Sequence, residues 1–345
     1  MAAVTVYDHI RQNNVKTVLL ALLFPIVLTI LIGIACLAAV ALVRDKDFLL
    51  NGIYLLIRWF PSLEANITGD NATFYAAMGY LMYAIVPIFA VSGLWMIVSL
   101  MTGDKMMLGF AGAEPLEKSD NPTVYRLVEN LAIVAGLPMP RIYVIDDDSL
   151  NAFATGYSPK SASIALTSGI IEKLEPLELE GVIAHEMAHI GNRDIRLNML
   201  IITGLGVFAF AADFIRLNMV FKSSKDNRNG LHLLIFFIII ALMIFNFVFA
   251  PLIHMAISRT REYAADATGA LITRNPQALA RALEKIRTDA RVEVLDKQPT
   301  MATACIADPT ARSSEIAALS DLSATHPPIE ERIKRLQAMG GCRPK

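Results

Sequence analysis

Apolar and polar residues follow one another in long blocks along the chain, and these blocks predict its main elements. An uncharged apolar run covers residues 17–43, and a second covers residues 71–103. Each exceeds the ~20 residues that an α-helix needs to cross the hydrocarbon core of a bilayer. A signal peptide, with an apolar region of ~7–15 residues, would be shorter than the first run. We therefore expect two transmembrane helices, preceded by a polar tail over residues 1–16.

A more polar stretch, residues 44–70, separates these two runs and is interpreted as a connecting loop. Within it, residues 48–57 are apolar but too short to span, which favours a position at the membrane interface or against protein. A third apolar region, residues 197–258, is interrupted by a polar turn. We expect a hydrophobic hairpin there. Its second limb, residues 231–258, is the more apolar one and is predicted to be embedded in the membrane.

Residues 104–196 have shorter patterns, typical of a soluble α+β domain. Apolar positions spaced three and four apart predict an amphipathic helix over residues 121–136. Short apolar segments bounded by turn residues predict three strands, at residues 141–145, 151–156 and 163–167. A second helix, from about Leu177 to Gly191, follows them.

Residues 259–345 return to a soluble composition and complete the predicted domain organisation. Helices are predicted there at residues 262–272, 278–287 and 329–339. We thus expect a tail, two transmembrane helices with their loop, a first catalytic part, a hydrophobic hairpin and a second catalytic part. Their predicted boundaries are residues 1–16, 17–103, 104–196, 197–258 and 259–345.

The amino-acid composition and the net charge agree with a membrane protein. Of the 345 residues, 54% are hydrophobic and 18% are charged, and the mean hydropathy is +0.48. A soluble enzyme of this length is less apolar than that. The net charge of −1 argues against a nucleic-acid partner. The cysteines Cys36, Cys305 and Cys342 show no C-x-x-C spacing, so neither a disulfide framework nor a cysteine metal site is expected.

The helix predicted to end near Gly191 contains the sequence H-E-x-x-H. His185 and His189 are four residues apart, so they lie on one helix face and can bind one metal ion together. Glu186 lies beside them, where it can accept a proton from a metal-bound water. The alternative is a core helix that merely carries these residues. An unpaired buried glutamate is costly, however, and this favours the metal site.

A catalytic zinc takes three protein ligands and a water, so a third ligand is needed. A closely following third histidine is absent, and Glu262 is the best candidate. Asp266 is one helical turn further on, which is the right spacing to reach the second ring nitrogen of a ligand histidine. The alternative is a solvated helix start in which Arg259 pairs with Glu262. The need of the two histidines for one carboxylate favours the ligand role.

Four motifs together resemble the HtpX / CAAX prenyl endopeptidase family of integral-membrane zinc metalloproteases. They are N-A-F-A-T-G at 151–156, E-x-x-x-V-x-A-H-E-x-x-H from Glu178, R-x-x-E-Y-x-A-D at 259–266 and T-H-P-P at 325–328. The resemblance covers nearly the whole chain. It implies an α-helical membrane protein of about four transmembrane helices with an α+β, zincin-like (gluzincin) metalloprotease domain.

The resemblance also implies roles for individual residues. It implies one zinc ion per chain at His185, His189 and Glu262, with Glu186 as the catalytic base. Asn151, Ala152 and Phe153 would form a sheet edge that pairs with an extended substrate, which strand addition also explains physically. His326 and Arg332 would lie near the metal, where either could donate a hydrogen bond to the oxyanion.

The activity implied by the resemblance is that of a zinc metalloendopeptidase. It would cleave misfolded or selected membrane proteins in quality control and the stress response. Its expected partners are membrane protein or peptide substrates and the lipid bilayer. The expected location is the inner (plasma) membrane, multi-pass, with a cytoplasmic catalytic domain. The oligomeric state is left open.

Three alternatives differ in what they require of the sequence. A transporter or channel would place ionisable residues inside the spans, and the first two spans have none. A non-catalytic zinc-bound scaffold would show a damaged base or ligand, yet Glu186 and the candidate ligands are intact. A narrow-specificity prenyl-peptide protease would share the same chemistry but usually has more membrane spans.

Overall fold

In the computed structural model the chain divides into two compact units. The residues described are 11–19, 46–61, 72–199, 259–289 and 327–341, with separate positions at 22–23, 26–27, 29–31, 33–34, 202, 240, 292 and 304–307. The first unit comprises Met1–Val18, Val98–Thr203 and Pro251–Lys345, and the second comprises Leu19–Ile97 and Gly204–Ala250. The H-E-x-x-H residues belong to the first unit.

Within the described residues, the first unit contains a four-stranded sheet. Its strands are β1 (Glu114–Pro115), β2 (Arg141–Ile145), β3 (Ala152–Thr155) and β4 (Ser163–Thr167). Their order is β1-β2-β4-β3, with β2 and β4 parallel and the other two pairs antiparallel. The three predicted strands are confirmed. The two residues of β1 were not predicted, because so short a segment has no periodicity and only its pairing with β2 defines it.

The described helices agree with most of the predicted ones. They are α1 (Lys46–Trp59), α2 (Ala72–Phe110), α3 (Pro122–Ala135), α4 (Ser168–Lys173), α5 (Pro176–Gly191), α6 (Arg259–Thr273), α7 (Pro276–Ile286) and α8 (Ile329–Gly341). A short 3₁₀ turn covers Pro159–Ser161, and residues 11–19 and 194–199 are also helical. Asn121 and Asn275 begin α3 and α7, where each side chain accepts a hydrogen bond from a backbone N–H and a proline follows.

Helix α5 lies at the centre of the first unit. It packs against α3, α6, α7 and β3, and its side chains Val182, Ile183 and Met187 are fully buried. Helix α6 packs closely on α5 at Gly269, where an added Cβ would lie 3.0 Å from the backbone nitrogen of His185. This close approach positions the start of α6 beside the histidines of α5.

The second unit contains α1, and there the structure corrects one prediction. Residues 44–70 were interpreted as a loop, but Lys46–Trp59 is an α-helix that packs against α2. A Cβ on Gly79 would overlap the backbone of Gly52, so the two glycines permit the contact. Because this packing partner is distant in sequence, the apolar stretch alone did not indicate a helix.

The predicted membrane segments are tested only in part. Among the described residues, none of the helices combines the length and the apolar character needed to cross a membrane. Most of the predicted hairpin, residues 197–258, lies outside the described residues. The four transmembrane helices and the five domain boundaries therefore stay predictions.

Candidate metal centre

Three side chains from two helices converge on one point inside the first unit. Helix α5 places the Nε2 atoms of His185 and His189 3.1 Å apart. Glu262, in the first turn of α6, lies with Oε2 3.8 Å from Nε2 of His185 and Oε1 3.6 Å from Nε2 of His189. One ligand atom from each residue lies within 4.8 Å of the others, and all three residues are buried. Two imidazole nitrogens and one carboxylate are a donor set that fits zinc.

The other ring nitrogen of each histidine contacts a carboxylate. Asp266 Oδ1 lies 3.0 Å from Nδ1 of His185, and Asp194 Oδ2 lies 2.8 Å from Nδ1 of His189. A carboxylate that accepts a hydrogen bond from Nδ1–H leaves the lone pair of Nε2 free to bind a metal, and the Asp194 contact has the geometry of such a bond. The one-turn spacing of Glu262 and Asp266 predicted the contact of Asp266 with a ligand histidine, whereas the contact of Asp194 was not predicted.

A turn after α5 explains how Asp194 reaches His189. The helix ends at Gly191, and Arg193 then adopts a left-handed backbone conformation with φ of 60°, which is uncommon for a residue other than glycine. The chain turns at residues 192 and 193, and the Asp194 side chain contacts His189 of the preceding helix. The only signal in the sequence is an isolated acidic residue five positions after His189, which is too weak to predict the contact.

Glu186 is buried next to the ligand cluster. Neither carboxylate oxygen has a hydrogen-bond partner at bonding distance among the described residues. Burial raises the pKa of Glu186 to about 7, although His189 acts in the opposite direction. A general base is most effective when its pKa is close to the working pH. The position and the pKa of Glu186 therefore suit proton transfer.

The carboxylates around the histidines set the charges of the cluster. Burial lowers the pKa of His189, but Asp194 and Glu262 outweigh it and raise that pKa to about 9. For His185, burial prevails over its contact with Asp266, and the pKa is lowered. Burial acts against the charge of Asp266, yet Arg332 and His185 together outweigh it, and the pKa of Asp266 falls to about 2. The site thus holds ionised carboxylates behind its two histidines.

Arg332 supplies the positive charge of this cluster and is fully buried. Its Nε and one terminal nitrogen donate to the two oxygens of Asp266, at 2.9 and 2.8 Å. The other terminal nitrogen lies 3.7 Å from Glu262 Oε2 and donates to the backbone oxygen of Ile306 at 2.8 Å. Burial opposes its charge, but Asp266 outweighs this and raises the pKa of Arg332 further above its usual range.

The edge of β3 contacts another part of the chain. Phe153 forms an antiparallel bridge with Cys305, and the Ile306 N–H donates to the Ala152 carbonyl at 2.9 Å. The Asn151 side chain donates to the Ala307 carbonyl at 3.1 Å. The edge that was predicted to pair with substrate is therefore paired with residues 305–307.

The structure brings most of the predicted site residues together. The predicted ligands, Glu186, Asp266 and Arg332 form one buried cluster, and β3 packs against the helix that carries the H-E-x-x-H sequence. His326 lies outside the described residues, so its predicted role near the metal stays a prediction.

The chain is similar to known proteases. Residues 118–340 match Peptidase family M48. A Protease HtpX homolog from Bacteroides fragilis (strain YCH46) is 35% identical over 341 residues, 98% of this chain and 99% of the relative. One from Tropheryma whipplei (strain Twist) is 42% identical over 230 residues, 67% of this chain and 77% of the relative. The crystal structure of S. mikatae Ste24p is 22% identical and covers 83% of this chain and 62% of that one, with a TM-score of 0.43.

Proposed function

The chain belongs to peptidase family M48, and we propose that it is a zinc-dependent endopeptidase. The observation that carries this proposal is the buried convergence of His185, His189 and Glu262 beside the carboxylate of Glu186. The family is generally zinc-dependent. The three converging side chains would hold one zinc ion, with Asp194 and Asp266 orienting the two histidines.

The side chains of the site would then have separate roles in hydrolysis. When bound, zinc supplies Lewis acidity, which polarises a carbonyl and lowers the pKa of a coordinated water. The carboxylate of Glu186 takes a proton from the attacking water and passes it to the nitrogen of the leaving amine. The donor atoms of Arg332 lie beside the cluster and can stabilise negative charge on the carbonyl oxygen, a role that the family resemblance also gives to His326.

The substrate is proposed to be an extended peptide that lies along β3. The free main-chain groups of a sheet edge bind a peptide backbone with little demand on its side chains. The main-chain carbonyl of Ala152 and the side-chain amide of Asn151 are the groups concerned on this edge, and in the structure they bind the backbone of residues 306 and 307. A peptide that uses the same groups must replace this segment.

We further propose that the enzyme is embedded in the inner (plasma) membrane and cleaves misfolded or selected membrane proteins in quality control and stress response, with its catalytic part in the cytoplasm. The uncharged runs at 17–43 and 71–103 support the membrane position. Large exposed apolar side chains also support it, among them Leu94 (62% exposed) and Met101 (74%). Extraction of cell membranes with alkaline carbonate tests the proposal. The chain should stay in the pellet.

The test of the catalytic proposal is a comparison of zinc content and peptide hydrolysis. Glu186→Gln should retain one zinc ion per chain and lose hydrolysis by roughly 10²-fold or more, because the proton acceptor is lost and the ligands are kept. Glu180→Gln, on the same helix but outside the cluster, is the matched control. Equal hydrolysis by the Glu186→Gln and control proteins would refute the proposed base.

A further inference from the structure

The helical segment over residues 11–19 contributes a buried amide to the surroundings of the metal centre. Asn13 is only 3% exposed. Its Nδ2 atom lies 2.6 Å from Oδ1 of Asp194 and 3.0 Å from the carbonyl oxygen of Asn192. All three residues belong to the first unit. An N-terminal side chain thus contacts the carboxylate that binds His189.

The chemistry of this contact determines the orientation of the amide. Both neighbours of Asn13 are oxygen acceptors, so the NH₂ group must face them and uses its two hydrogens on them. The opposite orientation would bring three oxygen atoms together. Asp194 is also paired with the guanidinium of Arg261, whose terminal nitrogen lies 3.3 Å from Oδ1. A hydrogen bond to an ionised acceptor is stronger than one between neutral groups.

Both oxygens of Asp194 are therefore held in place. Oδ1 accepts from Asn13 and, at 3.3 Å, from a terminal nitrogen of Arg261. Oδ2 faces Nδ1 of His189 at 2.8 Å. The two donors on Oδ1 prevent rotation of the carboxylate away from the histidine. On the N-terminal side, the Thr17 hydroxyl donates to the Asn13 carbonyl at 2.7 Å, and Thr17 is itself buried.

We propose that Asn13 is a positioning residue of the metal site, which acts on His189 through Asp194. The N-terminal segment would then complete a zinc site whose ligands are on α5 and α6. This inference rests on the proposed function, because it concerns the affinity of the site for zinc. Partners of a ligand histidine typically contribute roughly 10- to 100-fold to metal affinity.

The test compares zinc dissociation constants of the purified full-length protein, measured by competition with a chromogenic chelator. Asn13→Ala should raise the dissociation constant roughly 10-fold, the lower end of that range. Asn13→Asp has the same size but turns a carboxylate towards Asp194, so it should raise the constant further. Gln12→Ala is the matched control, because Gln12 is exposed on the same helical segment. Its zinc affinity should be unchanged.

A second readout separates positioning from packing. The absorption spectrum of the Co²⁺-substituted protein reports the geometry of the ligands, and it should change in the Asn13 variants but not in the control. If Asn13 only fills space, Asn13→Asp would disturb zinc binding less than Asn13→Ala. Asn13→Leu, similar in size but uncharged, should resemble Asn13→Ala and replaces Asn13→Asp if that variant does not fold.

Two results would overturn the inference. In the first, the unsubstituted protein binds zinc and hydrolyses peptide, but the Asn13 variants bind zinc as tightly as Gln12→Ala. In that case the inference fails and the proposed function stands. In the second, the unsubstituted protein binds no zinc. In that case both fail.

Discussion

At the candidate metal centre the two ring nitrogens of each histidine face different groups. The Nε2 atoms of His185 and His189 face each other at 3.1 Å, while their Nδ1 atoms contact the carboxylates of Asp266 and Asp194. A buried carboxylate needs compensation by hydrogen bonds or opposite charge. Asp266 obtains it from Arg332, and Asp194 obtains it from Arg261. Each half of the site thus consists of a histidine, a carboxylate and an arginine.

Among these side chains, Arg332 is the one whose replacement is expected to lower the unfolding free energy most. Arg332→Met removes both hydrogen bonds to Asp266 and leaves a buried carboxylate without its main partner. The unfolding free energy should fall by about 3–5 kcal/mol, measured by denaturant unfolding in detergent.

Arg335→Met is the control for that measurement, since it lies on the same helix. Arg335 pairs with Glu331 at 2.7 Å, and both side chains are about half exposed. Its loss should therefore cost about 1 kcal/mol or less. Equal losses in the two variants would contradict the special role of the buried pair.

At the scale of elements, the packing of α5 against α7 includes one buried charge. Glu178 accepts a hydrogen bond from Lys285 at 2.7 Å and lies 3.5 Å from Arg281. Burial alone would raise the pKa of Glu178, but Lys285 and the backbone N–H of Glu175 outweigh it and lower that pKa below its ordinary value of 4.5.

This lowered pKa predicts a pH-dependent stability. Glu178 stabilises the fold above pH 4.5, its ordinary pKa, and this contribution is lost as the pH falls through the lower pKa of the folded state. At neutral pH, Glu178→Gln should cost about 1 kcal/mol because Lys285 is partly exposed. The difference from the unsubstituted protein should shrink below pH 4.5.

Thermal unfolding at a series of pH values measures this difference. The same change at Glu180, on the same helix, corrects for the general effect of replacing a glutamate by glutamine. A difference between Glu178→Gln and the unsubstituted protein that grows on acidification would have the wrong sign and would contradict the assignment.

The edge of β3 gives a second prediction at this scale. If a peptide substrate pairs with β3, residues 305–307 must leave the edge, and the buried thiol of Cys305 must become accessible. In Glu186→Gln protein whose other cysteines are replaced by serine, a saturating extended peptide should accelerate alkylation of Cys305 by N-ethylmaleimide several-fold, because exposure of a buried group requires local opening.

A peptide of the same sequence with N-methylated backbone nitrogens is the control for this experiment, since it lacks the donors that pair with β3. It should leave the alkylation rate unchanged. If the unmodified peptide binds, as measured by fluorescence anisotropy, while Cys305 stays protected, then the peptide does not bind at this edge.

At the scale of the whole molecule, the candidate metal site joins segments that are far apart in the chain. The histidines are on α5 and Glu262 is on α6, beyond the predicted hairpin at 197–258. A ligand that binds only the folded state stabilises it by about 2.7 kcal/mol at 100 times its dissociation constant. We therefore expect chelation of zinc to lower the thermal unfolding midpoint.

Variants of two glutamates identify which side chain is responsible for this stabilisation. Glu186→Gln keeps all three ligands, so its midpoint should respond to zinc and chelator as that of the unsubstituted protein does. Glu262→Gln removes a ligand, so its response should be smaller or absent. A full response of Glu262→Gln would exclude Glu262 as a ligand.

Local patterns in the sequence were sufficient to predict most of the helices and strands and the central residues of the site. Strand and helix periodicities predicted β2, β3, β4 and the helices α3, α5, α6, α7 and α8, because these patterns repeat within a few residues. The four-residue spacing within H-E-x-x-H determined a shared helix face, and the spacing of Glu262 and Asp266 determined that both face the same way. The helix α1 and the strand β1 were missed, because each depends on a partner distant in sequence.

The tertiary structure alone decided which partners surround the metal centre. Asn13 and Asp194 are 181 positions apart, and Arg332 and Asp266 are 66 positions apart. Helix or strand periodicity does not relate residues so far apart. Their contacts follow from how α6 packs on α5 at Gly269 and from the turn at Arg193. The sequence by itself thus predicted a metal-binding helix and its third ligand. Packing decided which charged side chains surround those residues and which segment lies on β3.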